Sequence, residues 1–108
     1  MFSFGESSYE SRLMELLQDN FFRTANRNKI IAKWAAGRLG YNGNEIDRYV
    51  KHIIFSYLMS PSDRRLIDRI HADFKAANIP LSENDIREKM KNVESRIREK
   101  SRYNEQAN

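Results

Sequence analysis

The chain has 108 residues, of which 40% are hydrophobic and 31% are charged, a composition that supports one domain with a single modest core. It contains no cysteine, which excludes a disulfide scaffold and thiol chemistry and indicates a reducing cytoplasm. No apolar run approaches the roughly 18 residues of a membrane span, "MFSFGESS" lacks the pattern of a secretion signal, and the net charge of +4 permits anionic partners without requiring them.

The first predicted helix runs from about Ser8 to Leu39 without an internal proline. Apolar residues recur on one side of both of its halves. In the first half they form what we call the N-terminal stripe, which consists of Tyr9, Leu13, Leu16, Leu17 and Phe21. In the second half they are Ile30, Ile31, Trp34, Ala35 and Leu39. Gly40 follows where a left-handed terminal residue is expected.

The polar stretch "RTANRNK" separates these two halves of the first helix. Its two asparagines are weak helix formers, so the stretch indicates a bend or a flexible joint. We therefore expect residues before about Asn20 to be more mobile than the rest of the chain.

Trp34 is the only tryptophan, and it stands among Ala32, Ala35, Ala36 and Gly37. An indole on an apolar stripe is usually a core anchor. We therefore predict that it is largely buried against apolar residues of the other helices, among them Ile53, Ile54, Ile70 or Met90. The small neighbours, and Gly37 in particular, are expected to allow another helix to approach closely.

The second and third predicted helices follow after short turns. The second helix carries one apolar face, which consists of Ile46, Tyr49, Val50, Ile53, Ile54, Tyr57 and Leu58. The third is predicted to begin with Ser60 as its cap, Pro61 at its first position and Asp63 completing a capping box. Its apolar face consists of Leu66, Ile67, Ile70 and Phe74.

The fourth predicted helix begins at "LSEND", where Ser82 is the expected N-cap and Asp85 its return partner. Its apolar seam consists of Ile86, Met90, Val93 and Ile97. No segment alternates with a period of two over a useful length, so we predict no sheet. The fold class is all-α, a four-helix antiparallel bundle with a long first helix whose N-terminal part is mobile.

Signals of catalysis and of metal binding are weak in this sequence. His52 and His71 lie on different predicted helices without a metal-binding spacing, and we expect each at the edge of an apolar face. A metal site that includes Asp68 and Asp73 is the alternative. We predict that the protein is not an enzyme and has no catalytic residue, no metal and no cofactor.

The fourth predicted helix is the most basic part of the chain. Its basic residues are Arg87, Lys89, Lys91, Arg96, Arg98, Lys100 and Arg102. They surround the helix without interleaved aromatic residues, which favours a solvated surface. A small nucleic-acid-binding protein that uses this helix is the alternative function, and its affinity would fall steeply with salt. Weak adenine-nucleotide binding through arginines is a further alternative.

The stretch "NFFRTANRNKIIAKWAAGRLG" resembles the signature region of the zeta subunit family, inhibitors of the F-type ATP synthase in alphaproteobacteria. The residues that carry the resemblance are Asn20, Phe21, Arg27, Asn28, Trp34, Ala35, Ala36, Leu39 and Gly40. The similarity continues through the second helix into "DIREKM" and covers nearly the whole chain. The stretches "FGESSYES" and "SPSDRR" depart from the family pattern.

The resemblance implies a regulatory protein whose N-terminal helix inserts into the catalytic head of the ATP synthase and blocks ATP hydrolysis and rotation. It divides the chain into an inhibitory segment at residues 1–19, a four-helix bundle at residues 20–102 and a frayed tail at residues 103–108. The implied partner-binding residues are Phe4, Tyr9, Glu10, Arg12, Leu13, Leu16 and Leu17. The protein would be cytoplasmic and would reach the inner membrane only through the synthase.

From the residues alone, two interpretations of the N-terminal stripe stay open. An amphipathic helix of this kind can dock into the apolar groove of a partner. It can equally pack permanently on its own bundle.

Overall fold

The computed structural model describes the backbone of residues 8–107 and the side chains of residues 10–103. Within that range the chain forms helices and no strand. These are α1 (Ser8–Arg38), α2 (Asn44–Met59), α3 (Asp63–Ala76) and α4 (Glu83–Ala107). The all-α four-helix prediction is confirmed. The domain boundaries expected after residues 19 and 102 fall inside α1 and α4.

The C-terminal end of α1 confirms the role expected of Gly40, whose φ of 83° is in the left-handed region. The Gly40 N–H donates to the carbonyl of Gly37 at 3.1 Å, and the Tyr41 N–H donates to the carbonyl of Ala36 at 3.0 Å. This pair of hydrogen bonds is a Schellman motif, which satisfies two carbonyls that the helix end would leave open. The turn it makes directs the chain into α2.

The start of α3 differs from the prediction. Ser62 is the N-cap, and its Oγ accepts a hydrogen bond from the Arg65 N–H at 3.2 Å. An N-cap hydroxyl accepts from the N–H of the second or third helical residue, so, with α3 beginning at Asp63, Ser60 lies too early and Pro61 precedes the helix. The carboxylate of Asp63 binds other side chains instead of completing a capping box.

The start of α4 is the capping box that the sequence predicts. The Ser82 N–H donates to Asp85 Oδ2 at 2.8 Å, and the Asp85 N–H donates to Ser82 Oγ at 3.1 Å. The hydrogen bond from the Ser82 backbone, followed by that from its side chain, lowers the pKa of Asp85. Both groups satisfy N–H donors that the first turn would otherwise leave open.

One core lies where the C-terminal half of α1 meets α2, α3 and α4. Its buried apolar residues are Ile31, Ala32, Ala35, Ala36, Tyr49, Val50, Ile53, Leu66, Ile67, Ile70, Phe74, Ile86, Met90 and Val93. The predicted faces of α3 and α4 are confirmed, with Ile97 partly buried. Two residues expected in the core, Ile30 and Leu58, are exposed because each lies at the edge of its helix's buried face.

Trp34 lies at the rim of this core instead of at its centre. Its side chain is only half-buried, and its ring meets Phe74 edge to face with centroids 5.6 Å apart. The Nζ atom of Lys89 lies 5.9 Å from the centre of the indole ring. The indole therefore packs against the core as predicted, although Phe74 was not among the expected partners, and the smaller Ala35 and Ala36 are the fully buried residues beside it.

Gly37 does not serve the close approach that the sequence suggested. It is exposed, and a Cβ added there would meet no atom within 4 Å. The neighbouring Ala32, Ala35 and Ala36 are the residues that let the other helices approach, since all three are fully buried.

Candidate functional site

Residues 11–23 in the N-terminal half of α1 are exposed on all sides of the helix. Every side chain from Ser11 to Arg23 is solvent-accessible, and among the stripe residues Leu13 is 45%, Leu16 60% and Leu17 55% exposed. Monomeric soluble proteins rarely present a contiguous apolar surface of this kind without a partner. The stripe residues whose side chains the structure describes, Leu13, Leu16, Leu17 and Phe21, are therefore not buried by the bundle, which favours the first of the two open interpretations.

The N-terminal half nevertheless belongs to the same helix as the core-forming half. α1 runs through "RTANRNK" as one continuous α-helix, so the backbone has no break in helical structure at the predicted joint. The reason is tertiary: Arg27 and Asn28, in the middle of the polar stretch, are buried instead of solvated. The predicted difference in mobility on either side of Asn20 stays a prediction.

Arg27 anchors α1 to two other helices, and we call this group of contacts the Arg27 clamp. The Nη2 atom lies 2.6 Å from Asp63 Oδ1, at the first residue of α3. The Nη1 atom lies 2.9 Å from Glu94 Oε1 on α4. The Nε and Nη2 atoms donate to Asn28 Oδ1 at 3.0 and 2.9 Å. The guanidinium therefore satisfies its donors although the residue is only 8% exposed.

The charges of the clamp stabilise one another. Burial opposes the charged form of Arg27, but its hydrogen bonds to Asp63 and Glu94 outweigh that effect and raise its pKa. Burial likewise opposes the charged form of Asp63, but Arg27 and the Tyr57 hydroxyl hold its pKa below the usual range. Burial, followed by the hydrogen bond to Asp63, raises the pKa of Tyr57. At neutral pH the clamp is an ion pair with a neutral phenol.

Beside the clamp lies an apolar groove between α1 and α2, with a volume of about 430 Å³. We call it the α1–α2 groove. It is lined by Leu17, Asn20, Phe21, Thr24, Ala25, Asn28, Ile54, Tyr57, Leu58 and Pro61. Its lining contains no charged residue, and Leu17 and Phe21 belong to both the groove and the N-terminal stripe. The exposed apolar surface therefore extends from the free half of α1 onto the bundle.

The residues that the sequence proposed for partner binding are partly visible in this structure. Phe4 lies outside the described residues, and Tyr9 is described by its backbone alone. Glu10 is half-buried, whereas Arg12, Leu13, Leu16 and Leu17 are exposed. Their role in binding stays a prediction, with the described leucines accessible to a partner.

The residues that carry the family resemblance are brought together by the bundle rather than by one surface. Asn20 and Phe21 line the α1–α2 groove, and Arg27 and Asn28 form the clamp. Ala35 and Ala36 are in the core, Trp34 and Leu39 are at its edge, and Gly40 ends the helix.

Sequence reasoning missed the partners of Arg27, which are Asp63 and Glu94. The burial of Arg27, although not its partners, had a signal in the sequence, since Arg27 and Asn28 precede Ile31 and Ala32 by one helical turn and so share their buried face. Polar residues on an apolar face indicate a satisfied buried network. The groove residues Ile54 and Leu58 were identified, but as core.

The two histidines do not form a site. His52 is exposed, His71 is half-buried, and the side chains described here contain no cluster of metal-ligating residues. The carboxylates considered as possible ligands have other partners: Asp73 accepts a hydrogen bond from the Tyr49 hydroxyl at 2.8 Å, and Asp68 pairs with Arg64. Burial, followed by the bond to Asp73, raises the pKa of Tyr49.

The basic residues of α4 are distributed around the helix. Arg87 lies 3.9 Å from Glu83, and Lys89 lies over the Trp34 ring, so both contact the fold itself. The other basic residues, from Lys91 to Arg102, are exposed. Among the described helices, none combines the length and the apolar character that a membrane span requires.

A family model described as ATPase inhibitor subunit zeta matches residues 1–100 of the chain. The match includes the exposed half of α1, the clamp and most of α4. No curated protein and no solved structure gives a significant match.

Proposed function

The chain belongs to the ATPase inhibitor subunit zeta family, and from that premise we propose that it inhibits an F-type ATP synthase through the N-terminal half of α1. In this proposal residues 1–19 enter the catalytic head and block both ATP hydrolysis and rotation. The bundle holds that segment in place and takes no part in chemistry. The protein then acts as a regulatory subunit, with the catalytic head as its partner.

The observation that carries the proposal is the exposure of the N-terminal stripe. Leu13, Leu16 and Leu17 remain largely accessible to solvent in the free protein. Each leucine fully removed from water contributes about 1.5–3 kcal/mol, so covering them in an apolar cleft would supply a large share of a binding energy. Recognition of an amphipathic helix by a groove uses residues at this spacing.

The geometry of α1 supports insertion of a preformed element. The part of the helix from Ser8 to Arg23 is roughly 24 Å long at 1.5 Å per residue. One turn beyond Arg23, the Arg27 clamp fixes α1 to α3 and α4. A helix that is already formed and anchored loses less conformational entropy on binding than a disordered peptide would.

The location of the protein follows from the same proposal. The described helices include no membrane span, and we propose that the protein is cytoplasmic and associates with the inner membrane through the synthase.

The experiment is a titration of the purified chain into ATP synthase from the same source, with ATP hydrolysis as the readout. Two variants, Leu13→Asp and Ser11→Asp, add the same charge to exposed positions of α1, but only the first lies in the stripe. Leu13→Asp is expected to raise the concentration for half-maximal inhibition about 100-fold, since burying an unpaired charge opposes binding. Ser11→Asp is expected to change it by about threefold or less.

Circular dichroism and thermal unfolding show whether both variants keep the wild-type fold. Equal loss of inhibition in the two variants would mean that added negative charge, and not the apolar stripe, determines binding. Undiminished inhibition by Leu13→Asp would remove the stripe from the mechanism.

A further inference from the structure

We infer that the α1–α2 groove is a second contact surface for the same partner, and that it takes an uncharged apolar helix face of the ATP synthase head. This inference rests on the proposed function and extends the contact from residues 1–19 onto the bundle. The surface consists of the groove residues on α1 and α2 and of Pro61 after α2. Its central residues are Leu17, Phe21, Ile54, Leu58 and Pro61.

The first argument is continuity with the N-terminal stripe. Leu13, Leu17, Phe21, Thr24 and Asn28 are spaced by three or four residues and therefore lie along one side of α1. Leu17 and Phe21 already line the groove, while Leu13 lies one turn, about 6 Å, further along the axis. A partner segment that covers Leu13 and Leu17 is thus positioned at the open end of the groove.

The second argument is the chemistry of the groove. None of its lining residues is charged, and Ile54, Leu58 and Pro61 present apolar atoms. Leu58 is 57% exposed although it belongs to the apolar face of α2. Two of the polar groups along the groove are engaged within the fold, since the Tyr57 hydroxyl donates to Asp63 and the Asn28 amide oxygen accepts from Arg27. A charged partner would find no counter-ion among these residues, whereas an apolar partner can cover Leu17, Phe21 and Leu58 without burying a charge.

The third argument concerns the orientation of α1 in the complex. A contact between the partner and the bundle would fix which side of the exposed half of α1 faces the partner. A partner that contacted only the N-terminal end of α1 could bind it in several rotations about the helix axis. A contact that also includes Leu58 of α2 selects one rotation. In that rotation the side of α1 with Leu13, Leu17 and Phe21 faces the partner. In specific interfaces a buried central cluster supplies most of the binding energy, and the residues around it contribute little.

The test compares full-length Leu58→Gln with full-length Met59→Gln in the titration of ATP hydrolysis. Both residues are exposed and apolar and are adjacent on α2, but only Leu58 lines the groove. Glutamine is a good helix former and adds no charge near Asp63. Leu58→Gln is expected to raise the concentration for half-maximal inhibition about tenfold at unchanged maximal inhibition. Met59→Gln is expected to stay within about twofold of the wild type.

A third variant, Leu13→Gln, separates this inference from the proposed function. Weakened inhibition by Leu13→Gln together with wild-type inhibition by Leu58→Gln would overturn the groove contact and leave the stripe in place. The reverse result would confine the contact to the groove and overturn the proposed role of the stripe. Thermal unfolding of each free variant verifies that it is folded.

Measurements on the free protein exclude the other occupants. A wild-type dimer in sedimentation velocity that Leu58→Gln converts into a monomer would identify a second copy of this chain as the occupant. Amide chemical shifts of residues 1–7 that change in free Leu58→Gln would identify the chain's own first residues. Either result would overturn the inference, whereas a monomer with unchanged shifts at those residues and a tenfold weaker inhibitor supports it.

Discussion

Residues 11–23 and residues 27–36 belong to the same helix, yet the first group is exposed throughout and the second forms the centre of the molecule. Ile31, Ala32, Ala35 and Ala36 are fully buried, whereas Leu16 is 60% exposed. Both groups have apolar residues at helical spacing. Periodicity therefore defines a face of a helix, but it does not determine what covers that face.

The difference between the two halves has a local cause in their side chains. In the C-terminal half, Ile31 and three alanines are fully buried in the core that α2, α3 and α4 complete. The N-terminal half has leucines and phenylalanines that stay exposed, although Leu17 and Phe21 lie beside α2 in the groove. The Arg27 clamp marks the transition, because it is the first point along α1 at which side chains are buried by α3 and α4.

The strongest way to break this comparison is to remove the exposed half. Deleting Met1 to Asp19 is expected to abolish inhibition of ATP hydrolysis, since the whole proposed contact within that segment is lost. The free energy of unfolding should change by less than about 1 kcal/mol, because Ser11 to Asp19 are all exposed and take no part in the core. Hydrolysis assays measure the first effect, and urea denaturation measures the second.

Two outcomes of that deletion would contradict the expected result. A truncated chain that inhibits as well as the full chain would place the inhibitory site in the bundle. A truncated chain that no longer folds would show that the N-terminal half supports the core despite its exposure.

A pair of alanine substitutions sharpens the comparison without removing any backbone. Ile31→Ala is expected to destabilise the protein by about 3–4 kcal/mol, because a fully buried side chain leaves a cavity. Leu16→Ala, in the same helix, is expected to stay within about 0.5 kcal/mol of the wild type. Urea denaturation gives both changes in the free energy of unfolding, from the shift of the midpoint, provided that the dependence on urea concentration has the same slope in each variant. Similar losses for the two variants would mean that the exposed half packs on the bundle in solution.

How far the sequence predicted this contrast can be judged from particular elements. The helices, the Ser82–Asp85 capping box and the left-handed Gly40 were predicted correctly because each depends on residues close together in the chain. The apolar faces of α3 and α4 were predicted for the same reason. These features need only local spacing and hydrogen-bonding geometry.

The features that were predicted incorrectly or missed do not depend on local spacing. Each depends on how the helices pack against one another. Trp34 packs against the core as expected, but its ring partner is Phe74 of α3, which was not among the predicted contacts. Gly37 was expected at a contact and faces solvent. The partners of Arg27 are 36 and 67 residues away, so no local pattern identifies them. The roles of the N-terminal residues depend on a partner and stay predictions.

The clamp provides a third test, at the boundary between the two halves. Arg27→Met is expected to destabilise the protein by about 2–3 kcal/mol, because Asn28 loses two hydrogen bonds and two carboxylates lose their cation. The matched variant Arg23→Met, one turn earlier, removes a side chain with a single exposed hydrogen bond to Ser101. It should change stability by about 0.5 kcal/mol or less. An Arg27→Met variant as stable as the wild type would show that the apolar replacement compensates fully for the lost ion pairs.

The smallest expected effect is the acid dependence that Asp63 gives to the clamp. Arg27 holds the pKa of Asp63 below its usual range in the folded protein. Its stabilising contribution is therefore complete above the unfolded-state value of about 3.9 and is lost as the pH falls through the lower, folded-state value. The Asp63 side chain is 51% exposed, so solvent screening limits this contribution to about 1 kcal/mol.

The measurement is the difference in unfolding free energy between the wild type and Asp63→Asn, followed by urea denaturation from pH 7 to pH 2. Asparagine keeps the shape of the side chain but cannot carry the charge. The difference should be constant from pH 7 to about pH 5 and should shrink at lower pH, because protonation gives the wild type a neutral side chain as well. A difference that is independent of pH would mean that Asp63 contributes through hydrogen bonds alone. In that case the negative charge of Asp63 adds nothing to the clamp beyond its hydrogen bonds, and Glu94 is the carboxylate that balances the charge of Arg27.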